Sequence, residues 1–151
     1  MKKVVLMLAL IGFTISSVKC QIFKPVKWTF ASKKINSNEA VIFVKATMDA
    51  GWHIYGLNVP QGGPEATKFV FTKSKDFNLI GKVLEPKPKS KYEDVFKVNV
   101  PFHDKEVIFQ QKIKLNSSTP TRISGKVSFM SCDKTQCLPE DDYNFALVIK
   151  E

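Results

Sequence analysis

From residue 40 onward the chain alternates between apolar and polar positions in short runs. Ala40, Ile42, Val44, Ala46 and Met48 share one parity, with Val41, Phe43, Lys45 and Thr47 on the other. Val107, Phe109, Ile113 and Leu115 repeat the period against Gln110, Lys112 and Lys114. Ile123, Val127 and Phe129 oppose Arg122, Ser124, Lys126 and Ser128, and Tyr143, Phe145, Leu147 and Ile149 line one face of a last run. Successive side chains of a strand point to opposite sides, so period two predicts strands buried on one face. Turn-forming residues separate the runs: Asn36-Ser37-Asn38, Gly62-Gly63-Pro64, the stiff and exposed Pro86-Lys87-Pro88-Lys89, and the stretch from Asn116 to Pro120. No run carries a helical period and nothing repeats internally. Seven to nine strands at this spacing predict an all-β fold, an immunoglobulin-like antiparallel β-sandwich, with a small barrel as the alternative. Lysines on outward positions also keep strand edges from pairing with other chains.

The first residues follow a different pattern. Lys2 and Lys3 precede an apolar stretch from Val4 to Ile15, and Ser16, Ser17 and Val18-Lys19-Cys20 follow. Charge, apolar run and small-residue exit are the order of a secretory signal peptide. The run is about a dozen residues, short of the roughly 20 a membrane-spanning helix needs. We therefore expect residues 1–20 to be a cleaved leader and residues 21–151 a single exported domain with no membrane span. The alternative at this end is a lipid anchor on Cys20. The expected compartment is the periplasm.

Removing the leader changes two counts. The formal charge of +9 falls to +6 once Lys2, Lys3 and Lys19 are gone. Such a balance suits nucleic acid only where cations cluster and can fork onto phosphates or bases. Here the lysines are scattered singly and Arg122 is the one arginine. A solvated basic face is the better reading, with an acidic partner surface open. The three cysteines become a pair, Cys132 and Cys137, which in an oxidising compartment is expected to form a disulfide.

That pair is the one reactive centre the composition offers. Cys132 ends a strand, and a four-residue polar turn (Asp133 to Gln136) brings Cys137 back towards it. Two readings stand. A disulfide closing so short a loop contributes on the order of 2 kcal/mol through the unfolded chain, a small return for a structural staple. A tight disulfide in a loop beside Pro139 also suits repeated opening and closing. Asp133 would disfavour a thiolate and Lys134 would favour one. His53 and His103, the only histidines, are too far apart in sequence to announce a zinc site. Copper(I) held by Cys132, Cys137 and Met130 is a third idea, since soft ligands favour that ion. No serine–histidine–acid signature, phosphate loop or paired carboxylate is present; Asp141 and Asp142 are expected to cap the turn into the last strand. Ala50-Gly51-Trp52-His53-Ile54-Tyr55-Gly56 is dense in aromatics, either as core or as a wall beside the sulfurs.

Ser131-Cys132 to Cys137-Leu138-Pro139, Gly51-Trp52-His53-Ile54-Tyr55, and Gly62-Gly63-Pro64 followed by Phe69-Val70-Phe71 together resemble the periplasmic N-terminal domain of the thiol:disulfide interchange protein DsbD, from roughly Phe23 to Ile149. The resemblance implies an immunoglobulin-like sandwich with a redox-active cysteine pair in one loop, and neither cofactor nor metal. It implies electrons arriving from a membrane-embedded partner through a thioredoxin-like domain and leaving to exported, disulfide-containing clients, as one component of a protein-disulfide reductase. Carried over residue by residue, Cys137 forms the mixed disulfides and Cys132 resolves them. Trp52 or His53, with Tyr55, matches the aromatic wall, and Tyr92 is the nearest match to an aromatic cap in the region Pro86 to Tyr92. The chain departs from the best-known members by having one residue fewer between the cysteines and Glu140 in place of a second proline. No membrane-spanning or thioredoxin-like segment follows Glu151 in this sequence, so the donor is expected on a separate polypeptide. The rival reading is a binding module with an inert disulfide.

Overall fold

The computed structural model describes residues 23–116 and 120–150. The expected leader at residues 1–20, with Cys20, and residues 117–119 of the Asn116 to Pro120 stretch lie outside the described residues. Among the described residues there are eleven strands and no helix: β1 (Val26–Lys34), β2 (Glu39–Met48), β3 (His53–Tyr55), β4 (Lys68–Phe71), β5 (Phe77–Leu84), β6 (Lys89–Glu93), β7 (Val98–Asp104), β8 (Glu106–Leu115), β9 (Thr121–Phe129), β10 (Ser131–Cys132) and β11 (Asp141–Ile149). Every pairing is antiparallel, in three sheets ordered β1-β2-β8-β5, β10-β3-β7-β6 and β11-β9-β4. This is the all-β, immunoglobulin-like sandwich that the alternation predicts. The strand number exceeds the seven to nine expected because β3 and β10 have three and two residues, too few to show a period.

The main core lies between the first and third sheets. Ala40, Ile42, Val44, Ala46 and Met48 of β2 all point into it, as do Val107, Phe109, Ile113 and Leu115 of β8. Trp28 from β1 bridges the sheets, its ring 5.1 Å from Phe129 and 6.5 Å from Phe69, while Phe30 stacks on Phe145 at 4.7 Å. Each fully buried Ile or Phe of this set contributes roughly 2–3 kcal/mol of apolar burial. Gly125 makes the close approach in the third sheet possible: a Cβ there would stand 2.5 Å from the Val70 carbonyl oxygen and 2.8 Å from the Phe145 ring. One polar residue shares the inward parity of β8. Gln111 is buried and donates to the carbonyls of Ile80 (3.1 Å) and Lys112 (2.7 Å), where the register of β5 against β8 shifts between Ile80 and Leu84. A backbone carbonyl freed by the irregularity thus keeps a donor. Asp141 and Asp142 are the first two residues of β11, and Asp142 accepts from Lys126 and Ser128 across the ladder.

The chain leaves β2 for the second sheet through a tight turn, closed by the Trp52 N–H on the Asp49 carbonyl at 3.0 Å. Gly51 has a φ of 86° there, a conformation that side chains oppose. Register then sorts the second sheet into two faces. His53 pairs with both Cys132 and Asp104, Tyr55 with Phe102, Lys91 with Val100 and Glu93 with Val98. All of these share one face. Ile54 pairs with Ser131 and His103, and Tyr92 with Asn99, on the other. Ile54 belongs to the main core and His103 meets Phe109 edge-on at 5.9 Å, so that second face is the one turned inward.

Candidate functional site

Cys132 and Cys137 are joined, with an S–S distance of 2.04 Å and Cα atoms 4.0 Å apart. The turn between them is built by its own residues. The Asp133 N–H donates to the Gln136 carbonyl and the Leu138 N–H to the Ser131 carbonyl, each at 2.9 Å. Asp133 Oδ1 accepts the N–H of Thr135 (2.7 Å), the N–H of Gln136 (2.8 Å) and the Thr135 hydroxyl (2.9 Å). Those hydrogen bonds, the two backbone amides first, hold the Asp133 carboxyl below its usual range. The acid beside Cys132 is therefore occupied in shaping the turn.

The two sulfurs stand in opposite surroundings. Cys132 is 1% exposed and packs with Tyr55 and Val100, against which Val59, Val98, Phe102 and Met130 also lie. Cys137 is exposed. Of the pair, Cys137 is the residue open to solvent.

Tyr55 is fully buried, with its hydroxyl 3.2 Å from Cys132 Sγ and 3.1 Å from Glu93 Oε1. Burial, then the charge and hydrogen bond of Glu93, push its hydroxyl pKa well above the ordinary tyrosine range. It is a protonated donor throughout neutral pH. Burial alone would raise the Glu93 carboxyl; the Lys91 ammonium, 2.5 Å away, and the Tyr55 hydroxyl outweigh it and hold the group ionised, below its usual range. Lys91 Nζ also lies 3.0 Å from His53 Nε2 and 5.4 Å from the Phe102 ring centroid. Burial first, and the Lys91 charge second, depress the His53 pKa from 6.5 to about 4. With the ring neutral and lysine the donor, Nε2 is the acceptor nitrogen. The His53 ring stands edge-on to both Tyr55 (5.4 Å) and Phe102 (5.5 Å).

Of the residues singled out from sequence, Cys132, Cys137, His53 and Tyr55 come together on one face. Trp52 has the opposite parity: it is buried in the main core, with Phe23 5.3 Å away. Tyr92 is 54% exposed and lies on the sheet face opposite Cys132. Its neighbours Lys91 and Glu93 hold the positions facing the site, and sequence reasoning missed both. The available signal was the alternation Lys91-Tyr92-Glu93, which sends the two charges one way and the ring the other. Phe96 is half-buried in the turn after Glu93, where the N–H groups of Phe96 and Lys97 bond the Glu93 carbonyl. Beside the cysteine turn runs an open groove of about 910 Å³, lined in part by Trp52, His53, Lys91, Phe102, Asp133 and Lys134. Among the described residues no three His, Cys, Asp or Glu side chains gather as metal ligands, and no helix is long and apolar enough to cross a membrane.

Fold and site together define an immunoglobulin-like β-sandwich that presents one sulfur of a short-loop disulfide and buries the other. Residues 21–149 match the family described as thiol:disulfide interchange protein DsbD, N-terminal, and the chain belongs to that family. Among solved structures, the N-terminal periplasmic domain of ScsB from Proteus mirabilis matches with a TM-score of 0.62 at 20% identity. That match covers 83% of this chain and 47% of the other, so the chain spans about half the length of that domain. The reduced N-terminal domain of DsbD from Neisseria meningitidis matches with a TM-score of 0.51 at 12% identity, covering 81% of this chain and 86% of that one. A structure of the complex between the DsbD and PilB N-terminal domains of the same organism gives 0.53 at 12% identity, over 83% and 87%. At these identities the likeness concerns the fold. No curated protein sequence matches the chain significantly.

Proposed function

We propose that this protein is a periplasmic thiol–disulfide exchange module, passing electrons from a thioredoxin-like or membrane-embedded donor to exported disulfide-containing clients through Cys132 and Cys137. The observation that carries the reading is the asymmetry of the disulfide: Cys137 is exposed, while Cys132 is buried beside a hydroxyl donor. A staple needs neither feature. Family membership and the complex solved for the Neisseria relative support a folded protein domain as partner.

In the reducing half, a donor thiolate attacks Cys137 Sγ. The Cys132–Cys137 bond breaks, a donor–Cys137 disulfide forms, and Cys132 leaves as a thiolate that accepts the Tyr55 O–H. The donor's second thiolate attacks the donor's own sulfur and expels Cys137, so the donor is oxidised and the pair reduced by two electrons. In the other half the Cys137 thiolate attacks a client disulfide. Cys132 then attacks Cys137 Sγ, releasing the client as a dithiol. A hydrogen bond to the departing sulfur lowers its basicity, and a less basic thiol leaves faster.

The test is the reduction potential of the pair, measured by equilibration in graded thiol buffers and mass counting of alkylated cysteines. The expected value lies above about −300 mV, the range of labile disulfides. Cys132→Ala should then trap partners on Cys137, whereas Cys137→Ala should trap none. A pair that stays oxidised well below that range would leave a sandwich binding module with an inert disulfide.

A further inference from the structure

Tyr55 has one hydroxyl hydrogen and two acceptors within reach, Glu93 Oε1 at 3.1 Å and Cys132 Sγ at 3.2 Å. While the disulfide is intact, charge decides between them. A carboxylate is a far better acceptor than a disulfide sulfur, so the hydrogen points to Glu93. The exchange step reverses the demand. Cys132 becomes a thiolate in a pocket formed by Tyr55 and Val100, with Val98 and Phe102 against it, and two anions then compete for one hydrogen. In such a poorly solvated place an anion stripped of its donor is costly. Tyr55 can turn to the sulfur only if Glu93 keeps another partner.

Lys91 is that partner. It lies two residues before Glu93 on the same strand face, with Nζ 2.5 Å from Glu93 Oε1. Its own position is fixed from two further sides, by His53 Nε2 at 3.0 Å and by the Phe102 ring at 5.4 Å. His53 in turn is the register partner of Cys132. The ammonium is therefore anchored to β3, the strand that pairs with the one carrying Cys132, at 32% side-chain exposure, rather than ranging over the surface.

We propose that Lys91 is a positioning residue for the exchange reaction: by holding the Glu93 carboxylate it frees the Tyr55 hydroxyl for the Cys132 sulfur as that sulfur leaves. The inference rests on the relay reading above. No bond to Lys91 forms or breaks and no proton changes owner; one hydrogen bond changes acceptor. Without the ammonium, Glu93 keeps the hydroxyl and the departing thiolate goes without it.

The test is the rate at which dithiothreitol reduces the purified oxidised protein, followed by acid quench, alkylation and mass. K91M should slow reduction by about tenfold through the poorer leaving group. K91R should keep the rate, since a guanidinium can hold the same carboxylate. The deciding variant is K91M/E93Q, in which no carboxylate competes for Tyr55, and which should return to within about twofold of the unaltered protein. A purely structural role for Lys91 predicts the opposite, a double variant at least as slow as K91M. K91M reacting at the unaltered rate, or E93Q failing to rescue it, overturns the positioning role and leaves the relay intact. An unaltered protein that dithiothreitol does not reduce overturns the relay reading itself, and Lys91 with it.

Discussion

The β10-β3-β7-β6 sheet buries one histidine on each face, and the two are held in contrasting ways. On the inward face, His103 Nε2 meets the Glu85 carboxylate at 2.9 Å, and the same carboxylate accepts the Leu57 N–H at 3.1 Å. Acid, imidazole and amide complement one another, and together they tie the exit of β5 to the end of β3. On the outward face, His53 meets an ammonium, and the carboxylate that should balance the contact instead serves Lys91 and Tyr55. A complementary pair locks a position. A histidine held against a cation needs a third group to make the arrangement tolerable, and here that third group leads to a sulfur. The contrast implies that damage on the inward face registers as lost stability and damage on the outward face as altered exchange.

Glu85→Ala should have the largest effect on stability. It leaves His103 and the Leu57 N–H without their acceptor at a site where the Glu85 side chain is 10% exposed. Two stranded polar groups should cost about 3 kcal/mol in a urea titration, while reduction by dithiothreitol proceeds at the unaltered rate. A slowed reaction would mean that the two faces are not separable. Next comes Tyr55→Phe, which keeps the buried ring and deletes the hydroxyl. Reduction should slow about tenfold, with a stability change near 1 kcal/mol, because Glu93 keeps Lys91. K91M added to Y55F should slow the reaction no further, since the hydroxyl through which Lys91 acts is already gone. An additional tenfold loss would show Lys91 acting by another route.

How far these two faces were legible in the sequence follows from strand length and locality. β2 and β8 have ten residues each, and alternation over that length reveals the buried side directly. Gln111 breaks the β8 pattern because its partner is a carbonyl at a register shift in β5, which no local pattern reports. Parity alone groups His53 with Tyr55 and sets Trp52 apart. That the grouped pair faces Cys132 depends on the pairing of β3 with β10, a contact across about 78 residues of chain within strands of three and two residues. Lys91 and Glu93 escape a local reading for the same reason. Their alternation with Tyr92 is visible in sequence, but the identity of the strand across the ladder is not. The cysteine turn was legible because everything that shapes it lies within residues 131–138.

The smallest expected effect concerns His53 itself. Its pKa falls from 6.5 to about 4 in the folded protein because burial, and then Lys91, oppose the charged ring, against weaker opposing pulls from Glu93, Asp104 and Asp133. The depression fixes the sign. Above about pH 6.5 neither state binds the proton and the contribution to stability is complete. As pH falls towards 4, the unfolded chain takes up a proton that the folded ring refuses, so stability declines across that window. Glu93, Asp104 and Asp142, whose pKa values are lowered from 4.5, 3.8 and 3.8, contribute their own losses mainly below it. His53→Phe keeps a ring against Tyr55 and Phe102 and removes the titration. Its urea midpoint should therefore change less between about pH 7 and about pH 5 than that of the unaltered protein. Equal slopes for the two proteins would mean that His53 titrates as it does in the unfolded chain. Its contact with Lys91 would then be no more than a crossing of two side chains.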